Sequence, residues 1–105
     1  MNTLVRRRLE LKPGKREELL ELLKEFKEHL KKEEELDGFM IMTPKEEEDV
    51  IDIGFLLKEG ADWDKRLEKE HVKSFLKKLE ERDLVEKIKT THLDVHHHHV
   101  HELLR

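Results

Sequence analysis

The chain has 105 residues, of which 22 are Lys or Arg and 26 are Asp or Glu, for a formal net charge of −4. That length fits one domain with one core, and zero cysteines exclude a disulfide scaffold, a thiol nucleophile and a cysteine zinc site. With 46% charged and 35% hydrophobic residues, the mild acidity argues against nucleic acid as a partner, and no apolar run approaches the ~20 residues of a membrane span.

The start, MNTLVRRRLE, puts three Arg where a signal peptide needs an apolar core. A cytoplasmic domain is the expectation. The charges are of mixed sign and the apolar residues recur with clear periods, which favours folding over disorder.

Residues 3–11 read as a strand, with Val5, Leu9 and Leu11 on one side and Leu4, Arg6, Arg8 and Glu10 on the other. Pro13-Gly14 interrupts, and a helix is predicted over about 15–35. Leu19, Leu22, Leu23, Phe26 and Leu30 make its buried stripe at i, i+3, i+4 spacing. Asp37-Gly38 is a turn signal. Residues 39–43 and 50–57 are two apolar strands joined by a polar loop, close enough to pair antiparallel.

Gly60-Ala61-Asp62 breaks the pattern, with Asp62 placed to cap a helix. A second helix is predicted over about 63–82, with Trp63, Leu67, His71, Phe75 and Leu79 on its inner stripe. Residues 85–95 read as a last, less apolar strand. The order β-α-β-β-α-β implies an α+β, ferredoxin-like domain over 1–95: a four-stranded antiparallel sheet in the order 4-1-3-2, with both helices on one face. The other face, carrying Leu4, Met40, Met42 and Leu56, is too apolar to leave in water. A homodimer packed through it is expected.

LKPGKREELLELL at 11–23, LDGFMIM at 36–42 and EHVKSFLKKL at 70–79 follow one another in an order and spacing that resembles the antibiotic-biosynthesis monooxygenase family of dimeric α/β barrels. The resemblance covers about residues 3–95. It implies a barrel-like dimer that oxidises aromatic or polyketide-like substrates without a required cofactor. Two positions depart from the pattern. Leu57 stands where the family often has a Trp at the end of strand three, and Arg66 where it often has a His one helical turn before the matched His71. The missing Trp counts against a haem-degrading version of the fold.

Strand alternation is expected to gather Arg6, Arg8, Asp52 and His92 on the helix-free face. Four ionisable groups there would hold a substrate oxyanion and move a proton, with Arg6 or Arg8 on the anion and His92 or His71 on the proton. The competing reading makes Asp52 and an Arg an ion pair that sets register. For His71 the family match suggests a proton donor or haem ligand, against a half-buried histidine satisfied by the backbone. His29 reads as surface.

The tail reads HLDVHHHHVH over 92–101, and residues 96–105 are assigned to a His-rich extension beyond the domain. If extended, His97, His99 and His101 share one face and have the donor type for Zn²⁺ or Ni²⁺, bound adventitiously. Phosphate loops, nucleophile elbows and dinucleotide fingerprints are absent from the sequence. The expected function is a small-molecule monooxygenase in a dimer barrel. Its rivals are a non-enzymatic, metal-binding homodimer and a stable scaffold, natural or designed, with no activity.

Overall fold

In the computed structural model, which describes residues 2–97 and 99, the chain runs β1 (Asn2–Leu11), α1 (Arg16–Leu30), β2 (Leu36–Met42), β3 (Val50–Leu57), α2 (Trp63–Arg66), α3 (Glu70–Glu81) and β4 (Val85–Val95). The sheet is antiparallel in the order β2-β3-β1-β4, as the element order predicts. Leu19, Leu22, Leu23, Phe26 and Leu30 are all buried, so the predicted stripe of α1 is the stripe that packs. Two turns need backbone that glycine adopts without strain: Gly14 has φ 77° and Gly60 has φ 84°.

The face a residue occupies follows from its register. On the helix side Val5 lies opposite Phe55, Leu9 opposite Ile51, and Ile41 opposite Ile53. On the helix-free side Leu4 pairs with Leu56, Arg8 with Asp52, Met40 with Gly54 and Met42 with Asp52. Among the described residues the large hydrophobic side chains left exposed are Met40 at 52%, Leu93 at 42% and Met42 at 39%. All three lie on this helix-free side, since Leu93 pairs with Leu4.

The predicted single helix over 63–82 is two helices. Asp62 does cap the first, its Oδ1 accepting from the amides of Asp64 at 2.9 Å and Lys65 at 3.3 Å. The helix then stops, and Lys69 is extended, with ψ 142°. The break has a geometric reason. Arg66 and His71 are five positions apart, which at 3.6 residues per turn separates them by about 140° around one helix axis. Both reach the same Glu33 carboxylate, at 2.8 and 2.9 Å, and the break lets them converge.

Among the described residues no helix is long and apolar enough to cross a membrane.

Candidate functional site

A slot opens between the sheet and the helices, lined by Arg7 of β1, Phe55 of β3, Arg66 of α2, Val72 and Leu76 of α3 and Ile88 of β4. Its cavity of about 20 Å³ has room for a single water. A wider groove of about 310 Å³ between α3 and β4 shares Leu76 and Ile88 with it.

Two cations face this apolar slot. The Arg66 guanidinium lies 4.4 Å from the Phe55 ring centroid and 4.9 Å from that of Trp63. Arg7 lies 5.7 Å from the Trp63 centroid. Such contacts with ring faces are attractive for cations. Arg66 is 2% exposed and Glu33 7%. Glu33 neutralises Arg66, with Nη2 donating to Oε2 at 2.8 Å and Nε 2.7 Å from Oε1. The Nε approach is an ion-pair contact without hydrogen-bond alignment. Arg7 differs. Among the described residues no carboxylate lies within ion-pair distance of it. Burial, and secondarily the charge of Arg66, holds Arg7 below its ordinary value. The site therefore presents one neutralised and one uncompensated guanidinium beside aromatic rings, an arrangement suited to a planar anion.

The sequence-predicted residues are divided between the two faces. Arg8 and Asp52 meet on the helix-free side, with Nε to Oδ1 at 2.9 Å and Nη2 to Oδ2 at 3.0 Å. The bond to Asp52 raises Arg8 above its ordinary value. Arg8 is thereby committed to a carboxylate that its strand neighbour supplies. Arg6 lies opposite Gly54, and its Nε is buried without a hydrogen-bond partner among the described residues.

His92 is not with them. It pairs with Val5, so it lies on the helix side, where its ring meets the edge of Trp63 at 6.2 Å and 90°. The cause is a register shift between Glu10 and Leu11. Leu11 pairs with Val85 and Glu10 with Lys87, leaving Glu86 as an extra residue. Alternation counted from Val85 puts His92 on the far face; the bulge reverses that phase.

His71 is half-buried and bonded to a carboxylate, where the bland expectation was a backbone carbonyl. His29 is exposed, as expected, yet its ring stacks on that of His71 at 5.2 Å and 8°. His97 and His99 are exposed and lie past the end of β4; His101 lies outside the described residues. Among the described residues no group of three or more His, Cys, Asp or Glu could hold a metal ion.

Three residues were not legible as functional from the sequence: Arg7 and Arg66, which line the slot, and Glu33, which bonds Arg66. Arg7 carried a signal: it is a charge at a core-facing position, between Val5 and Leu9 on the same side of β1. Arg66 stands where the family pattern often has a His. Glu33 carried no signal, being one of three consecutive Glu.

No protein-family model matches the chain, and no curated protein matches it in sequence. Solved structures do. A conserved protein from Methanosarcina mazei Go1 is 19% identical, with 89% of this chain and 91% of that one covered and a TM-score of 0.78. A candidate antibiotic biosynthesis monooxygenase from Deinococcus radiodurans is 11% identical over 93% and 96% of the two chains, with a TM-score of 0.78. Rv0793 from Mycobacterium tuberculosis is 14% identical over 93% and 98%, also at 0.78. At these identities the likeness establishes the fold. This chain is similar in fold to proteins described as antibiotic biosynthesis monooxygenases.

Proposed function

We propose that this protein is a cofactor-independent monooxygenase that binds a small aromatic substrate as its anion beside Trp63, in the slot widened toward the neighbouring groove by parting of Leu76 and Ile88. The observation that carries this reading is Arg7: a guanidinium in an apolar, aromatic slot, beside a second Arg, with no carboxylate of its own among the described residues. The fold shared with described monooxygenases supports the reaction class.

The substrate class is a molecule with a methylene activated by neighbouring carbonyl and aryl groups. Arg7 and Arg66 stabilise the enolate-type anion as charge develops on its oxygen. His92, on the same face of the sheet and against Trp63, takes the proton from carbon. The carbanion then gives its electrons to O₂ and a carbon–oxygen bond forms. Loss of water from the hydroperoxide leaves a ketone. CH₂ plus O₂ thus becomes C=O plus H₂O, and the substrate supplies every electron.

An anthrone is a suitable probe substrate. Oxygen uptake with quinone formation, abolished by Arg7→Met, is the expected result. Uptake no faster than in buffer would refute the activity.

The same reading includes a homodimer joined through the helix-free faces. Met40, Met42 and Leu93 are exposed there, beside a buried Arg6 Nε and a buried Glu10 Oε2 that have no hydrogen-bond partner among the described residues. A second copy would cover the first three and offer bonds to the last two. Sedimentation equilibrium is the test, and a stable folded monomer at micromolar concentration would rule the dimer out.

A further inference from the structure

A second opening lies on the far side of the helices. It is a cleft of about 50 Å³ between α1 and α3, lined by His71 with Glu25, His29, Ser74 and Lys78. Phe26 and Phe75 line both this cleft and the slot. Their rings stack at 4.2 Å and 12°, so together they form an apolar wall between the two spaces. Glu33 gives that wall a polar bypass. Its Oε2 bonds His71 on the cleft side and Arg66 on the slot side.

We propose that His71, acting through Glu33, is a positioning residue for Arg66 and couples the slot's hold on an anion to proton uptake in the cleft. This rests on the reading of the slot as an anion site.

An ionised carboxylate only accepts, so the Nε2 of His71 carries the hydrogen that reaches Glu33. With His71 neutral, Glu33 and Arg66 cancel, and Arg7 is the slot's net charge. With His71 protonated, Glu33 serves two cations, both hydrogen-bonded at Oε2, while Oε1 stays in ion-pair contact with Arg66 Nε. The three residues together become positive, and Arg66 is freer to serve an anion. Anion binding should therefore tighten as pH falls and His71 takes up a proton.

The groups that face His71 are few. Glu33 comes from the turn after α1. His29 comes from α1 and stacks on the ring. Glu25 and Lys78 line the cleft and face each other at 3.5 Å.

The experiment uses 4-nitrobenzenesulfonate, whose charge is constant with pH and whose nitro group quenches Trp63, the one Trp of the chain. His92 also touches Trp63, so the titrations are done on the full chain carrying His92→Gln. Binding about fivefold tighter at about pH 5.5 than at 8.5 is expected, the low end of ordinary coupling between sites. Adding His71→Gln keeps a donor to Glu33 but removes the titration, so it should flatten the pH profile and leave high-pH affinity in place. A pH dependence that survives His71→Gln overturns the coupling, even if the melting point has fallen.

A measurement without any change at His71 guards against misfolding. By reciprocity, binding of the sulfonate to the His92→Gln chain near neutral pH must take up protons from unbuffered solution. Binding with no uptake overturns the proposal. Separately, a sulfonate that binds no better than neutral nitrobenzene would show that the slot is not an anion site, and the proposed function falls first.

Discussion

Glu33 and Arg66 form an ion pair closed to solvent, with Nη2 to Oε2 at 2.8 Å and the carboxylate further engaged by His71. Taking two charges out of water is expensive, and each is tolerable only while the other is present. Glu33→Ala should thus destabilise the fold by about 3–5 kcal/mol, by leaving the guanidinium of Arg66 buried and uncompensated. The double change Glu33→Leu with Arg66→Met should be clearly milder than Glu33→Ala alone. Urea unfolding of the variants is the check. Equal losses would mean that the pair is not closed to water.

Trp63 is buried against Phe55, whose ring centroid is 5.2 Å away, and carries Arg66 on its face. Trp63→Ala should cost about 3–5 kcal/mol, as truncation of a large core aromatic does. If the melting temperature stays put, the residue is not part of the core.

Gly54 is a strand glycine without a left-handed φ. A Cβ there would meet Leu4 Cδ1 and Met42 Cε at 3.5 Å, ordinary contact distances. Gly54→Ala should stabilise by roughly 0.4–1 kcal/mol through the unfolded chain's lost freedom. Gly14→Ala should do the opposite, since its φ of 77° strains any residue with a Cβ. Thermal melts of the two variants, moving in opposite directions, test the pair.

Glu35 is held below the usual carboxylate range, mainly by its hydrogen bond with Lys69 at 3.0 Å. A depressed folded value means stability that is present above the unfolded value, roughly 4.3 for Glu, and lost as pH falls through the lower folded one. Glu35→Gln should lower stability slightly at neutral pH, with the difference shrinking as pH falls, so that the acid side of the stability curve becomes slightly flatter. Urea midpoints measured from about pH 6 to 3 would reveal it.

The described strands end at Val95, and β4 pairs with β1 over Asn2–Leu11 without any residue of the His run. A chain truncated after Val95 should melt where the intact chain does. The intact chain should bind Ni²⁺ or Zn²⁺ through its contiguous imidazoles. Coincident loss of stability on truncation and on chelation of the intact chain would make the metal structural instead.

Periodicity alone identified β3, β4, the buried stripe of α1 and the cap at Asp62, because apolar spacing and capping are local properties of the chain. It also put Leu4, Met40, Met42 and Leu56 on one face of the sheet, since side chains alternate strictly where no bulge intervenes. The pairing of Arg8 with Asp52 was within reach for the same reason. The slot was a tertiary matter. One extra residue at Glu86 reversed the phase of β4 and carried His92 to the helix side, and pairing decides where a bulge falls. Glu33 became the partner of Arg66 and His71 through packing of elements far apart in sequence, with a helix break that brings two donors to one carboxylate. Three consecutive Glu are equivalent as letters; burial makes one of them the counterion.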